Sequence, residues 1–372
     1  MSKKIISAGH ICLDITPIFP QDKSYDKLSQ VLIPGKLINN IDPADVSTGG
    51  SVANTGLALK KLGADVKLMG KVGDDEFGKL VLEIVSGHGG EGILVDKNSG
   101  TSYSVVLAVP GLDRIFLHCP GANDTFSSAD ISDDMLDDVA VFHLGYPSLM
   151  KKLYENDGAD LIHLLRRVKA KGIATSLDMT TMEPNSAAGQ ADWIKILSAA
   201  LPYTDFFLPS AEELCFMINR ARYDELRGDE GDMATNLDME KDVIPMANKL
   251  IEMGCGTALI KCGTAGMYYR TANEARLLQV GANLELSVSD WADKCGLQRC
   301  FKADKVLSGT GAGDTSIAAF LLAAMNGKKP AECAALAAAE GACAVTTYDA
   351  LSGLKPLDEL EARIAAGWET LE

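Results

Sequence analysis

From residue 139 onward, apolar runs of five or six residues alternate with longer stretches of helical period. Strands are expected at 139–144, 173–178, 205–208 and 257–262. Helices are expected at 151–171, 188–199 and 211–218, with an alanine-rich helix at 330–344 and an amphipathic one at 357–368. Short runs buried on both faces, joined by helical crossovers, make a parallel sheet with right-handed connections. The N-terminal part adds a buried strand at 4–15, a helix at 51–62 closed by Gly63, a strand at 65–70 and a helix at 76–86. Two stretches break this rhythm. Residues 21–46 are polar and turn-rich, with Pro34-Gly35 and Asp42-Pro43; residues 101–109 and 115–118 alternate like strands around Pro110-Gly111-Leu112-Asp113, which makes a hairpin. The whole reads as a doubly wound, mostly parallel α/β sheet with helices on both faces plus a small β lid.

The chemistry concentrates at Ser308-Gly309-Thr310-Gly311-Ala312-Gly313-Asp314-Thr315. A helix begins at about Ala312, with Ile317, Phe320, Leu321 and Ala324 at helical spacing and Asn326-Gly327 as its stop. A glycine turn opening a helix gathers unpaired N–H groups and the positive dipole end at one point, where a phosphate binds. Gly311, Ala312 and Gly313 supply the cradle. Asp314 beside it is placed to take a proton from an attacking hydroxyl. On the turn alone, an acid complementing the helix dipole is the commoner reading.

Upstream lie Gly49-Gly50-Ser51-Val52-Ala53-Asn54-Thr55 and Gly70-Lys71-Val72-Gly73-Asp74. Together with Gly311-Ala312-Gly313-Asp314, these stretches resemble the signatures of the ribokinase-like carbohydrate kinases, the PfkB family, in order and spacing over nearly the whole chain. The resemblance implies an ATP-dependent kinase acting with Mg²⁺ on a hydroxyl of a sugar or nucleoside, with Asp314 as base. It also implies an acceptor site of Asp14, Gly49, Gly50, Asn54 and Asn123, the last within Gly121-Ala122-Asn123. The nucleotide side would use Ser210, Lys261, Gly263 and Gly266, and Glu213 would organise magnesium through water.

This chain has Ser210 where the family commonly has Asn. Ser308-Gly309 and Tyr348-Asp349-Ala350 depart from the family where many relatives hold a monovalent cation, so potassium activation is not expected. The implied organisation is one domain over 1–372, a lid from 16–47 and 97–121, and surface insertions at 219–241 and 283–303. A homodimer through the lid stays open.

The formal net charge of -16 argues against nucleic-acid or anionic-membrane partners. Nine cysteines without a Cys-x-x-Cys pair indicate neither a disulfide scaffold nor a zinc site. With no apolar run of membrane-spanning length or leader-like start, a soluble, cytoplasmic protein is expected. Two competing classes are a sugar-binding regulator that no longer turns over, and a dinucleotide dehydrogenase. The latter lacks a placed fingerprint, because the glycines of 87–92 follow a helix and precede a strand. No Ser lies in a Gly-x-Ser-x-Gly elbow, and the five histidines show no ligand spacing.

Overall fold

The computed structural model describes residues 3–371 apart from 21, 23, 40, 113, 228–232 and 350. Its centre is an eight-stranded sheet in the order β14-β13-β12-β11-β10-β9-β1-β4. The strands are β1 (Lys4–Gly9), β4 (Asp65–Met69), β9 (Val139–Gly145), β10 (Ala174–Asp178), β11 (Phe206–Phe207), β12 (Thr257–Lys261), β13 (Met267–Thr271) and β14 (Cys295–Gln298). From β4 to β12 neighbours run parallel; β13 and β14 finish one edge antiparallel.

Alternate side chains of each strand feed separate cores, as a pleated strand requires. Ile6, Phe142, Leu144, Phe207 and Ile260 pack against helices Lys151–Ala170, Trp193–Ala200, Ala211–Ile218 and Ile244–Glu252. Ile5, Val141, Phe206 and Leu259 pack against Ala312–Met325 and Pro330–Ala344 on the other face. The doubly wound architecture is therefore present.

The expected single strand at 4–15 is two strands in different sheets. It breaks at His10–Ile11, after Gly9 at φ 126, where a side chain would overlap the Gly145 carbonyl. The second half, β2 (Cys12–Ile18), joins β3 (Asp42–Gly49), β7 (Tyr103–Leu107) and β8 (Ile115–Cys119) in a small sheet ordered β3-β2-β7-β8. β7 and β8 lie within 97–121, whereas β2 begins at Cys12 and β3 ends at Gly49, so both overrun the expected stretch 16–47. A third, two-stranded sheet pairs β5 (Lys71–Gly73) with β6 (Leu94–Asp96).

Other boundaries moved for local reasons. The helix expected at 188–199 starts at Trp193, because Asp192 caps it by accepting from the Lys195 N–H. Helix Lys151–Ala170 leaves helical geometry at Glu155, Asn156, Asp157 and Gly158, where Asn-Asp-Gly tolerates left-handed backbone. In the stretch expected as a second insertion, β14 extends the main sheet and Trp291 is buried against Phe206 and Phe320. In 219–241, Tyr223 and Leu226 of helix Arg220–Arg227 join the main core; the acidic Gly228-Asp229-Glu230-Gly231-Asp232 run lies outside the described residues.

Candidate active site

The chain passes from β1 to β4 on one side of the sheet and then to β9 on the other, so β1 and β9 flank the point where the winding reverses. In open α/β sheets, ligands bind outside the carboxyl ends of strands at that crevice. Here the carboxyl ends present His10 after β1, Tyr146 after β9, Asp178 at the end of β10 and Lys261 at the end of β12. Two backbone bonds carry the ladder past the strand ends: His10 N–H to the Gly145 carbonyl (3.2 Å) and Tyr146 N–H to the Asp178 carbonyl (3.1 Å).

Helix Ala312–Met325 delivers its N-terminus to the same edge. Gly311 caps it at φ 73, a left-handed conformation that suits glycine. The space beside Gly313 faces Lys261, whose Cδ and Cε would lie 3.7 Å from an added Cβ. Asp314, in the first turn, is buried. Its Oδ2 accepts from Asn54 Nδ2 (3.0 Å) and its Oδ1 from Thr55 Oγ1 (3.2 Å), both on helix Ser51–Lys61. The Tyr146 phenol donates to both oxygens, at 2.7 and 2.8 Å.

Around Lys261 stand Asp178, Glu213 and Asp314. Lys261 Nζ bonds Asp178 Oδ1 at 2.8 Å. Burial disfavours the charged ammonium, but the three carboxylates outweigh it and raise the Lys261 pKa. Burial pushes the Asp178 carboxyl up, Lys261 opposes the rise, and Glu213 and Asp314 add to it. Burial likewise raises Glu213. A pocket with three acids and one close ammonium is starved of positive charge.

Where the acceptor site is expected, Asp14 on β2 is largely buried, and burial raises its carboxyl although the Cys12 thiol donates to it at 3.2 Å. The two glycines expected there are required by side chains of the pocket. A Cβ on Gly49 would overlap the Asp14 carboxylate, and one on Gly50, at φ 87, would lie 2.5 Å from the His10 carbonyl oxygen and 2.6 Å from its Nδ1. Asn123, also expected there, is bound to the backbone beside the site. It is fully buried, its Oδ1 accepts from the Ile11 N–H (3.2 Å) and its Nδ2 donates to the Ile11 carbonyl (2.9 Å), so its amide clamps the β1–β2 break.

Of the residues expected to face the nucleotide, Ser210 and Glu213 satisfy each other in a capping box at the start of helix Ala211–Ile218. Glu213 Oε2 accepts from the Ser210 N–H (2.7 Å) and Ser210 Oγ from the Glu213 N–H (3.1 Å). Gly263 is exposed beside the end of β12. Gly266 is a packing glycine, because a side chain there would overlap the Gln298 carbonyl. Among the described residues no cluster of three or more His, Cys, Asp or Glu side chains forms a metal cage. Magnesium held by one carboxylate, water and phosphates needs none, and the acid excess around Glu213 fits it.

Residues 3–356 match the model of the pfkB family carbohydrate kinases. The chain belongs to this family. Fructokinase-2 of Oryza sativa subsp. japonica is 29% identical over 184 residues, 48% of this chain and 53% of that protein. An uncharacterised sugar kinase of Archaeoglobus fulgidus is 25% identical over 299 residues, 80% of this chain and 98% of that one. The first of these matches thus spans about half of the relative's length. Among solved structures, Arabidopsis thaliana ribokinase complexed with ribose and ATP superposes with a TM-score of 0.68 at 20% identity, covering 97% of this chain and 98% of that one. At that identity the likeness establishes the fold.

Within the pfkB frame, the structure brings together Asp314, Gly311, Ala312, Gly313, Asn54, Lys261 and Glu213 on one side, and Asp14, Gly49 and Gly50 on the other. Sequence reasoning singled out none of Thr55, Asp178 and Tyr146, which stand beside these residues, and took His10 only as one polar group of the segment 9–14. Asp178 carried a legible signal, since it ends a predicted parallel strand as an acid. Tyr146 carried none: it sits at φ 61, ψ 42 immediately before Pro147, a conformation costly for a bulky aromatic residue. Helices long and apolar enough to cross a membrane are absent among the described residues.

Proposed function

We propose that this chain is an ATP-dependent phosphotransferase that phosphorylates a hydroxyl of an uncharged sugar or a nucleoside. The observation that carries this is Asp314, a buried carboxylate held by Asn54 and Thr55 beside the open Gly311–Gly313 turn, with Lys261 across from it. Family membership agrees, as do the fructokinase and sugar-kinase relatives.

In this reading the N–H groups at the helix start hold the negative charge of the transferring phosphoryl group, and Lys261 adds a point charge. Asp314 orients the acceptor hydroxyl and takes its proton as the new oxygen–phosphorus bond forms and the bond to the β-phosphate oxygen breaks. Magnesium, organised through Glu213 and water, would neutralise charge on the phosphates. Asp14 accepts from acceptor hydroxyls at the far end. Exposed Val306 and Tyr348, on segments flanking the turn, offer apolar surface to the nucleobase.

The segments at 9–14, 49–54 and 121–123 contribute no Arg or Lys to the acceptor end, which disfavours a phosphorylated acceptor. Arg114 of the lid donates to Thr310, on the nucleotide side. The β2-β3-β7-β8 sheet acts as the lid, excluding water that would compete with the acceptor. Exposed Phe116 and Leu117 on β8, an edge strand, suit a homodimer through the lid, and sedimentation at graded concentration tests it. A cytoplasmic location supplies the ATP.

The test is ADP release with ribose, fructose, adenosine and fructose phosphates as acceptors. Turnover with an uncharged compound supports the reading; a clear preference for phosphorylated compounds refutes the acceptor class. ATP consumption with none of them refutes the kinase.

A further inference from the structure

We propose that His10 determines acceptor specificity, its imidazole hydrogen-bonding a hydroxyl of a substrate seated between Asp14 and Asp314. This rests on the kinase reading above and adds a recognition element to it. His10 is 2% exposed, and both ring nitrogens are buried with no hydrogen-bond partner among the described residues. Leaving such a group unpaired is costly, so native proteins rarely do so without a reason. His143, equally buried, keeps its Nδ1 on Ser176 at 2.9 Å.

The surroundings of His10 point inward to the reaction. Its ring lies 5.2 Å from that of His118 on β8 and 6.1 Å from that of Tyr146, whose phenol rests on Asp314. His118 is tied to Ser104 on β7 at 3.1 Å, so floor and lid meet at this pair of imidazoles. Gly50 packs its backbone against the Nδ1 side, where a Cβ would sit 2.6 Å from that nitrogen, so Nε2 is the nitrogen left for a ligand hydroxyl. The backbone is therefore shaped around an imidazole that bonds nothing in the protein.

Burial, assisted by His118, lowers the His10 pKa to about 3, so the ring is neutral. A neutral imidazole offers one donor and one acceptor, the complement of a hydroxyl, and no charge for a phosphate or carboxylate. The ligand class is thus an uncharged polyol. Asp14 accepts from one of its hydroxyls, His10 pairs with another, and the hydroxyl to be phosphorylated points to Asp314.

The experiment compares the parent, His10→Phe and His10→Asn on the acceptor found by the panel, together with its single-deoxy analogues. His10→Phe keeps the ring volume and removes both nitrogens. It is expected to lower kcat/KM for the acceptor by roughly 10- to 100-fold through KM, the range for a lost or unpaired hydrogen bond, with the KM for ATP unchanged. Melting temperature without acceptor should stay equal or rise, because an unpaired polar group has gone.

His10→Asn, which keeps a donor and an acceptor, should recover part of the loss. For one deoxy analogue, His10→Phe and the parent should perform alike, which identifies the hydroxyl that His10 contacts. An acceptor KM within twofold of the parent, or an equal penalty on every deoxy analogue, overturns the proposal while an active parent leaves the kinase reading standing. A parent inactive on every hydroxyl compound sinks both. Should His10→Phe fail to fold, His10→Asn against the deoxy series decides by the same criterion.

Discussion

The Tyr146 phenol bridges the two carboxylate oxygens of Asp314, at 2.7 and 2.8 Å. A carboxylate has about four lone-pair sites. Asn54, Thr55 and the bridging phenol fill them, so an acceptor hydroxyl reaches Asp314 only by displacing Tyr146. If Asp314 is the base proposed above, the phenol stands where the attacking group would be and shields the carboxylate from water. Tyr146→Phe is therefore expected to raise acceptor-independent ATP hydrolysis by about 3- to 10-fold, the worth of one net hydrogen bond, and to lower the acceptor KM. Unchanged hydrolysis with a raised acceptor KM would show that the phenol stays on Asp314 during transfer.

Gly49 lies against Asp14 so closely that any Cβ overlaps the carboxylate. Gly49→Ala should push Asp14 out of place, raise the acceptor KM by about 10-fold and cost about 1–3 kcal/mol of stability by overpacking. ATP affinity should not change, because the nucleotide side draws on other strand ends. Calorimetric titration with each substrate separates the two effects.

Glu340, on helix Pro330–Ala344, is buried with one oxygen on the Lys355 N–H (3.0 Å) and no partner for the other. Burial lifts its carboxyl from 4.5 to about 7, against the opposing pull of the Lys355 N–H and of Lys61. The folded state thus holds this proton to higher pH than the unfolded chain does, so the Glu340 contribution to stability falls as pH rises from 4.5 to about 7. Glu340→Gln should remove that slope. The difference in urea-unfolding free energy between pH 5 and pH 8 should shrink by on the order of 2 kcal/mol relative to the parent. An unchanged difference would mean that Glu340 is already ionised at pH 5.

The lid sheet joins strands from two distant stretches, with β2 antiparallel to β3 and parallel to β7. Hydrogen exchange at 42–49 and at 103–119 should slow together when acceptor is added. Protection of one stretch alone would mean that the sheet does not close as a unit.

The parallel core was legible because its strands are buried on both faces and its helices carry their own stops. The Gly311–Asp314 turn was legible because its glycines and its acid are adjacent in sequence. What escaped was set by tertiary contact. The break at His10 depends on how closely Gly9 approaches Gly145, so residues 4–15 read as one strand. Asn123 has the composition of a hydroxyl-binding residue, but its two bonds to Ile11, made at the β1–β2 break, could not be read from sequence. Within 283–303, expected as a surface insertion, the pairing of β14 with β13 and the burial of Trp291 depend on partners distant in sequence. Tyr146 reaches Asp314 from a left-handed position that no local pattern announces.

The central claim is that Asp314 takes the proton of the attacking hydroxyl. Its most direct test is the single-turnover rate of phosphoryl transfer in Asp314→Asn, with binding of ATP and acceptor measured separately. Asparagine keeps the size of the side chain and removes its basicity. The expected result is near-normal binding of both substrates with transfer slowed by roughly 100- to 10,000-fold. Transfer at close to the parental rate in a folded Asp314→Asn protein would contradict the assignment.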